Sequence, residues 1–340
     1  MLGLSTGLMY QGIFGEAGLS PNEINDTTGH TCLAWYDFTD ATTMYTDAGS
    51  TNVSSDDDAI HRITNKSSAS GGDRYTTYLQ QPNGSAYKPK YKVGGQGGKS
   101  YANFDGNYTY IGGNRDNTGT RVGNAGSSNN FSDQNDIQSD EIAVFFVSAG
   151  YEAADPGPSN FRRAVFGFRN WQGTGNDDKV HMYAYNDALT SPFATHDVFF
   201  QLDPDTGSNV GGETQPPILG ATSDFKIASF LTEENGSEYL TIGNNVGDTS
   251  TKFTLSGTDY YHHGTSSFNT FEIDFSTTSN NNYFRIGADG NDTTGITQLW
   301  TGRIYEVIIM KGDMYTDGTY QDIINYLTNK YGNNGEGYAP

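Results

Sequence analysis

The feature that most constrains the fold is the stretch of residues 283–332. It contains two runs rich in aromatic and β-branched residues, 283–286 and 298–310, separated by a loop of Asp, Asn, Gly and Thr. Runs of this kind, bounded by turn-forming residues, predict two β-strands. Because nearly every side chain of residues 304–310 is apolar, we expect the second strand to be covered on both faces. Glu306 is the one charged residue of that apolar run.

The spacing of apolar residues changes after this strand and predicts a short amphipathic helix. The apolar residues now recur every three or four positions, which places them on one face of a helix. They are Tyr320, Ile323, Ile324, Leu327 and Tyr331. Thr319 and Asp322 have the spacing of a capping box, and Gly332 follows where a left-handed residue commonly ends a helix. We expect this helix to pack against a sheet and to hold the domain closed.

Four short segments share a pattern with a known group of domains. They are residues 33–37 (LAWYD), 284–287 (FRIG), 300–309 (WTGRIYEVII) and 326–332 (YLTNKYG). The pattern resembles the opening strand and the closing segment of laminin-G/concanavalin-A-like jelly rolls, which are common in bacteriophage virion proteins and bacterial surface proteins. The resemblance implies an all-β fold, a concanavalin-A-like/laminin-G-like jelly-roll β-sandwich with a short C-terminal helix, and it implies core positions for Trp35 and Trp300. It selects no function, because lectins, glucanases and structural proteins share this fold.

The composition agrees with many strands joined by polar turns. The 340 residues include 43 Gly, 23 Tyr and 19 Phe. Tyrosine favours strands and glycine favours turns, while this many aromatic residues argue against disorder. Strands are predicted at residues 31–38, 60–64, 141–148, 161–169, 179–185, 198–202, 225–232, 239–242, 252–255 and 270–275. Residues 100–111 are predicted to form a hairpin that turns at Asp105 and Gly106.

The chain divides into an apolar N-terminal arm, residues 1–28, and a jelly-roll domain with long loop insertions, residues 29–340. The arm has no basic start and is interrupted by glycines, which makes it a poor signal peptide. It ends in the turn-rich junction 21–30. An apolar, glycine-broken segment suits a docking element that is buried against another chain. The predicted assembly contacts are Leu4, Leu8, Tyr10, Ile13 and Phe14.

The charge balance excludes two classes of partner. The formal net charge is -21, and the chain has only 19 Lys and Arg residues. Nucleic acids and anionic membrane surfaces are bound through clustered basic residues, so neither is an expected partner. No apolar run approaches the length of a membrane span. We interpret the acidity as a source of solubility and of repulsion between copies.

The single cysteine, Cys32, lies within a predicted strand beside Leu33 and Trp35. One cysteine cannot form an internal disulfide. Cysteine is also among the most buried residue types and behaves as a small hydrophobic group. We therefore expect Cys32 to be a buried core residue rather than a catalytic thiol.

One acidic pair invites comparison with the glucanases of this fold. Those enzymes place their catalytic carboxylates on one face of a strand, in the pattern Glu-x-Asp-x-x-Glu. Glu272 and Asp274 match the beginning of that pattern, but Ser276 and Thr277 stand where the third acid should fall. The missing third acid of the pattern would be the second catalytic group of the retaining mechanism. Without it, we expect no hydrolysis at this pair.

Oxygen-rich loops make calcium the one ion for which the sequence offers ligands. The sequence has three groups of candidate ligands: Asp56, Asp57 and Asp58; Asp203 and Asp205; and Asp289 and Asp292. The last pair, in the loop of the stretch 283–332, is the predicted site. No twelve-residue calcium loop is complete, and solvated turns explain the same aspartates. We expect no other cofactor.

Two aromatic segments, both predicted as loops, could stack on a sugar ring. One is the segment containing Trp171, and the other contains Tyr260, Tyr261 and His262. Packing of these aromatic residues within the protein or against a neighbouring subunit is the alternative interpretation. Phosphate loops, dinucleotide fingerprints, zinc spacings and nucleophile elbows are absent from the sequence.

These observations predict a scaffold and no reaction. The leading hypothesis is a non-enzymatic bacteriophage virion structural protein, a capsid decoration or a tail or fibre component, made in the host cytoplasm and exposed on the particle. Its expected partners are other virion proteins and copies of itself. The alternative from another class is a lectin-like module that binds a carbohydrate such as a host surface glycan. A glycan hydrolase that uses Glu272 and Asp274 is the third and weakest hypothesis.

Overall fold

The structure is a computed structural model, and it describes part of the chain. The described residues are 18–27, 29–69, 78–81, 84–106, 109–112, 142–149, 161–171, 177–186, 197–203, 209–213, 226–232, 238–243, 252–254, 260–263, 283–288, 299–312, 314 and 319–331. The predicted strand 270–275, the acidic pair Glu272 and Asp274, the aspartates Asp289 and Asp292, and Gly332 lie outside them. So do the five predicted arm contacts.

The described residues form eighteen strands and two α-helices. In chain order they are α1 (Pro21–Thr27), β1 (Thr31–Asp37), β2 (Met44–Tyr45), β3 (Arg62–Thr64), β4 (Tyr78–Gln80), β5 (Lys90–Lys92), β6 (Tyr101–Asp105), β7 (Ile111–Gly112), β8 (Ile142–Ala149), β9 (Phe161–Trp171), β10 (Asp177–Asn186), β11 (Asp197–Asp203), β12 (Asn209–Glu213), β13 (Lys226–Thr232), β14 (Glu238–Gly243), β15 (Lys252–Thr254), β16 (Tyr260–His263), β17 (Tyr283–Ile286), β18 (Thr301–Lys311) and α2 (Tyr320–Tyr331).

The strands belong to two sheets, and every pairing among the described strands is antiparallel. The first sheet has the order β15-β14-β13-β8-β18-β6-β5, and β1 also pairs with β18. The second sheet has ten strands in the order β16-β12-β11-β10-β9-β17-β7-β4-β3-β2. The predictions of an all-β fold and of a short helix near the C-terminus are therefore confirmed.

The two sheets pack face to face around an apolar core. The rings of Phe146 on β8 and Phe166 on β9 lie 6.2 Å apart in an edge-on arrangement, which joins the centres of the two sheets. Gly287 follows β17 with a φ of +86°, and a Cβ atom at this position would lie 2.3 Å from the ring of Phe104 on β6. Glycine is therefore required where the second sheet approaches the first.

Strand β18 is central to the first sheet and is covered on both faces, as its apolar sequence predicts. All residues from Ile304 to Met310 are buried, and the buried set includes Glu306, whose side chain is 0% exposed. Trp300, just before the strand, is 4% exposed and occupies the predicted core position.

The predicted hairpin within residues 100–111 is wrong. Strand β6 pairs with β18 and β5 in the first sheet, whereas β7 pairs with β17 and β4 in the second. Gly106 has a φ of +71°, so the chain does turn where Asp105 and Gly106 predict it. The turn carries the chain from one sheet to the other, because the apolar faces of both strands are buried in the core between them.

Residues 52–61 connect the two sheets along one edge of the sandwich. Asn52 bridges Tyr45 of the second sheet, while Ala59 bridges Lys90 of the first. The backbone N–H of Tyr91 also donates to the carbonyl oxygen of Asp58 at 2.8 Å. The outer edge of β5 is therefore paired.

The helix α2 packs onto the first sheet through the predicted stripe. Ile323, Leu327 and Tyr331 are each 0% exposed, and Tyr320 and Ile324 are partly buried against the same core. The helix therefore closes the sandwich next to β1 and β18, as expected.

The junction before β1 is a helix rather than the predicted turn-rich segment. Ile24 of α1 is 0% exposed and belongs to the core beneath α2. The side chains of Asn22 and Asn25 hydrogen bond to the carbonyl oxygen of Lys66 and the N–H of Cys32. Residues 18–27 therefore pack as part of the domain, although residues 1–28 were predicted to be a separate arm.

Candidate functional site

The most concentrated group of polar side chains in the described chain surrounds Glu306. Four donors contact its carboxylate, and two of them reach Oε1: the indole N–H of Trp35 at 2.5 Å and the hydroxyl of Tyr326 at 3.1 Å. The other two reach Oε2: the ammonium of Lys330 at 2.8 Å and the hydroxyl of Tyr331 at 2.7 Å. A carboxylate that is taken wholly out of water needs such partners, because an unpaired buried charge is strongly destabilising.

A second buried carboxylate, that of Asp37, lies directly opposite Glu306 across the β1–β18 pair. Its Oδ2 atom is 2.8 Å from Lys330 Nζ and 2.9 Å from Lys66 Nζ. Its Oδ1 atom accepts hydrogen bonds from the backbone N–H and the hydroxyl of Thr39, at 3.0 Å and 2.6 Å. Lys66 continues the network outward to Asp40 at 3.0 Å. We call Trp35, Asp37, Lys66, Glu306, Tyr326, Lys330 and Tyr331 the buried polar cluster.

Three separate elements supply these side chains. Strand β1 supplies Trp35 and Asp37, strand β18 supplies Glu306, and α2 supplies Tyr326, Lys330 and Tyr331. Lys66, which follows β3, completes the cluster. Within α2, Tyr326 and Lys330 are four residues apart and so share one face of the helix. The pairing of β18 with β8 is shifted between Ile304 and Glu306, an irregularity that lies immediately before the buried carboxylate.

Aromatic rings enclose the cluster. Trp35 and Tyr326 meet edge to face with ring centroids 6.0 Å apart, and Tyr305 and Tyr331 meet in the same way at 5.7 Å. The Lys66 ammonium lies 4.6 Å from the centre of the Trp35 ring. The side chain of Lys330 is 13% exposed and that of Asp37 is 4% exposed, so water has little access to either.

Burial and ion pairing act in opposite directions on the two carboxyl groups. Burial raises the pKa of Glu306 above its ordinary value, and the Lys330 ammonium offsets this only in part. Burial also acts to raise the pKa of Asp37, but the ammonium groups of Lys330 and Lys66 outweigh it and leave that pKa below its ordinary value. Glu306 is therefore the stronger base of the two.

The cluster has no free carboxylate for a diffusing substrate. General acid and base catalysis on a bound substrate requires a side chain within hydrogen-bond reach of that substrate. Glu306 is 0% exposed and is surrounded by donors from the protein itself. Glu306 can therefore exchange protons or hydrogen bonds only with neighbouring side chains, chiefly Lys330.

The aromatic residues that were predicted to bind sugar lie in one sheet but on distant strands. Trp171 is the last residue of β9, and Tyr260, Tyr261 and His262 form most of the edge strand β16, so both loop predictions are wrong. Four strand steps separate β9 from β16, which is about 19 Å at the usual spacing. The two segments therefore do not form one sugar site, and binding at either remains a prediction.

The acidic loop around Asp57 shows how aspartates in this chain are used locally. Lys92 pairs with Asp56 at 3.1 Å and with Asp57 at 2.7 Å, while Asp58 accepts the backbone N–H groups of Ser54 and Ser55. Within the described ranges, no three His, Cys, Asp or Glu side chains come together in a way that could hold a metal ion. The predicted ligands Asp289 and Asp292 lie outside those ranges.

Cys32 has the predicted core role. Its side chain is 0% exposed, and burial raises the pKa of the thiol to about 12. A thiol with such a pKa is almost entirely protonated near neutral pH and is a poor nucleophile.

Neither helix in the described part of the chain is long and apolar enough to cross a membrane.

Comparisons with known proteins assign no family. No family model and no curated protein matches the chain. Full-length tailspike protein 2 from Escherichia coli O157:H7 bacteriophage CAB120 is 11% identical with a TM-score of 0.42, and the match covers 70% of this chain and 27% of that one. The binding domain of Paraclostridial Mosquitocidal Protein 1 is 12% identical with a TM-score of 0.45, covering 88% and 52%.

A third solved structure, the T. cruzi calreticulin globular domain, is 10% identical with a TM-score of 0.41, and the match covers 88% of this chain and 95% of that one. The chain thus spans about a quarter of the tailspike and about half of the toxin binding domain. Similarities at this level assign neither a ligand nor an activity.

Sequence reasoning recognised Glu306 as the single charge in an apolar strand but did not find its partners. Lys330 lies 24 residues away in the chain, and Trp35 lies 271 residues away. The available signal was that all of these residues fall within the four segments that resemble the jelly-roll pattern. The polar residues of these segments lie beside apolar residues that were expected in the core, so they could have been grouped as one buried network.

Proposed function

We propose that this chain is a non-enzymatic structural protein of a bacteriophage particle, a capsid decoration or a tail or fibre component, which displays a concanavalin-A-like, laminin-G-like jelly roll. One observation carries the proposal. Three of the four segments that resemble this group of domains, 33–37, 300–309 and 326–332, meet at the buried polar cluster, where the carboxylates of Asp37 and Glu306 are used to join β1, β18 and α2. The polar residues of the shared pattern therefore serve the scaffold.

The buried polar cluster is not itself a candidate hydrolase site, and the pair of the hydrolase hypothesis, Glu272 and Asp274, lies outside the described residues. A retaining glycosidase needs two carboxyl groups about 5 to 5.5 Å apart that flank a substrate bond. In the buried polar cluster one ammonium brings two carboxyl groups together, those of Asp37 and Glu306. Because both are buried and neither can reach a polysaccharide, this pair supports no hydrolysis.

The charge and the apolar arm suit a particle surface. A net charge of -21 keeps exposed faces hydrated and disfavours binding to nucleic acid or to an anionic membrane. Assembly then rests on apolar contact with other virion proteins or with copies of this chain, through Leu4, Leu8, Tyr10, Ile13 and Phe14. The chain would be made in the host cytoplasm and exposed on the finished particle.

The test is to locate the protein on particles. Phage particles from a host that expresses the chain together with its neighbouring structural genes are purified by density gradient and probed with gold-labelled antibodies. We expect regular labelling at one place on the particle, and no turnover of algal or bacterial polysaccharides by the purified chain. Absence of the chain from purified particles, or hydrolysis by it, would contradict the proposal.

A second candidate function, carbohydrate binding by a lectin-like module, is favoured by β16. This strand consists of Tyr260, Tyr261, His262 and His263, and it lies at the edge of the second sheet. Aromatic groups at an edge suit stacking on a sugar ring. A glycan array separates the alternatives, since binding lost in Tyr261→Ala places a site at β16. Loss only in Trp171→Ala places it at the end of β9, and no binding by the parent protein removes this function.

A further inference from the structure

We propose that Lys330 and Asp37 condense to form an intramolecular amide bond, and that Glu306 is the catalytic residue for this reaction. The nucleophile and the electrophile are already in contact, because Lys330 Nζ lies 2.8 Å from Oδ2 of Asp37. The third group is equally close, because the same nitrogen lies 2.8 Å from Oε2 of Glu306. A structural ion pair needs only one carboxylate beside the lysine. An amine held between two buried carboxyl groups has both partners needed for acyl transfer, one to be attacked and one to move protons.

The carboxyl group of Asp37 is oriented for attack. The backbone N–H and the hydroxyl of Thr39 both donate to Oδ1, at 3.0 Å and 2.6 Å. Two donors on one oxygen stabilise the negative charge that develops there when an amine adds to the carbon. The other oxygen, Oδ2, faces Lys330 and Lys66 and is the one that leaves.

Glu306 is suited to move the protons. Its carboxylate accepts from the Lys330 ammonium, and burial raises the pKa of the Glu306 carboxyl, which makes the group a better base. The indole N–H of Trp35 donates to one of its oxygens and the hydroxyl of Tyr331 donates to the other, which holds the carboxylate in place. A base that is oriented in this way needs no movement of the chain to reach the amine.

The reaction balances without any added reagent. Glu306 takes one proton from the Lys330 ammonium, and the neutral amine attacks Cγ of Asp37, forming a C–N bond. Glu306 passes that proton to Oδ2, accepts a second proton from the nitrogen and passes it to the same oxygen. The Cγ–Oδ2 bond then breaks and one water molecule leaves. An ammonium and a carboxylate thus become an amide and water, and Glu306 ends as it began.

The surroundings favour this product over the ion pair. Taking two charges out of water is costly, and replacing a buried ion pair with neutral groups is often neutral or stabilising. The amide removes one positive and one negative charge from a site enclosed by Trp35, Tyr326 and Tyr331. Lys66 is a weaker nucleophile candidate because its side chain is 24% exposed and it pairs with Asp40, away from the Glu306 base.

The bond would have a mechanical consequence that is independent of the proposed function. It would connect the first strand of the sandwich to its last helix, so the 292 residues between positions 37 and 330 would form a closed covalent loop. Lys330 could then be pulled away from Asp37 only if a covalent bond broke, and the loop would limit the freedom of the unfolded chain.

Mass spectrometry of the denatured parent protein tests the proposal without any variant. We expect an intact mass lower by one water molecule than the mass calculated for the linear, unmodified chain. Trypsin cannot cleave after an acylated lysine, so digestion should yield one branched peptide that joins residues 1–62 to residues 312–340. An intact mass equal to that calculated for the linear chain, with cleavage after Lys330, would overturn the proposal.

Variants then assign the roles. Lys330→Arg keeps the charge but cannot form this amide, so it should show the full mass, whereas Lys66→Arg should still lose one water molecule. Glu306→Gln should fold and remain largely unreacted, and circular dichroism confirms that it is folded. Complete reaction in Glu306→Gln would remove Glu306 from the mechanism, and a branch at Lys66 would refute the assignment to Lys330. Lys92→Arg is the matched control, because its exposed ion pairs take no part.

Discussion

Asp37 and Glu306 lie opposite each other across the β1–β18 pair, and the ammonium of Lys330 is 2.8 Å from a carboxylate oxygen of each. Through this contact the first strand of the domain, a central strand of its first sheet and its last helix share one buried group of charges. The domain is therefore closed by polar contacts as well as by the apolar stripe of α2.

The apolar part of this closure is tested by Leu327→Ala. Leu327 is 0% exposed, so truncation removes apolar burial and leaves a cavity, with an expected loss of about 2 to 5 kcal/mol. Denaturant unfolding of the variant and the parent measures this loss. Gln321→Ala is the matched control on the same helix, since Gln321 makes one side-chain hydrogen bond to Asn325 that contributes about 0.2 to 0.5 kcal/mol. Equal losses in the two variants would mean that the stripe does not face the core.

The polar part is tested by Tyr331→Phe, which keeps the ring and removes one donor to Glu306. A hydrogen bond to a charged group contributes about 1.5 to 3 kcal/mol, and we expect a loss of that size. Tyr91→Phe is the control, because Tyr91 shares a hydrogen bond with the neutral hydroxyl of Ser100 at 2.8 Å and should lose about 0.5 to 1.5 kcal/mol. If Tyr331→Phe were no more costly than Tyr91→Phe, the donors around Glu306 would not be stabilising its charge.

Two truncations separate the arm from the domain. Removal of residues 1–17 leaves every described contact of α1 in place, so the thermal midpoint should stay near that of the parent while assembly into particles is lost. Removal of residues 1–28 also deletes Ile24, which is 0% exposed, and should cost about 2 to 5 kcal/mol. Equal midpoints for the two truncations would show that α1 does not belong to the core. If the chain that lacks only residues 1–17 still assembled into particles, the docking role of the arm would be contradicted.

Burial of Cys32 predicts a loss of stability at alkaline pH. The pKa of this thiol is about 12 in the folded chain and about 8.5 in an unfolded one, so the unfolded state loses its proton first as the pH rises. The stability that Cys32 contributes is therefore complete below about pH 8.5 and declines as the pH approaches about 12. The free energy of unfolding should fall more steeply with pH in the parent than in Cys32→Ala, and parallel curves would show that the thiol is accessible.

The repeating patterns of the sequence predicted most of the described elements. The apolar run 304–310 can bury all of its side chains only as a strand that is covered on both faces. The apolar stripe of α2 can do so only as one face of an amphipathic helix. Helix α1 was missed because Pro21–Thr27 contains Asn, Asp and Thr, which are poor helix formers. Burial of Ile24 and the side-chain bonds of Asn22 and Asn25 outweigh that preference.

The candidate site could not be assembled from the sequence for a related reason. Glu306 was conspicuous, but the choice of Lys330 and Asp37 as partners depends on how β1 and α2 meet β18. Local spacing carries no information about contacts between residues 37 and 306, because the pairing of β1 with β18 in the first sheet decides them. The edge strand β16 was likewise interpreted as a loop, since Tyr260 and His263 lie among short turn-rich segments.

Native-state hydrogen exchange tests the central claim, that α2 is joined to β1 and β18 as one unit. The amides of residues 32–36, 304–310 and 323–329 are compared in the parent protein. We predict that the most protected amides of all three segments exchange with one common free energy, equal to that of global unfolding. Exchange of the α2 amides through a separate opening, with a clearly smaller free energy than that of β18, would contradict the claim.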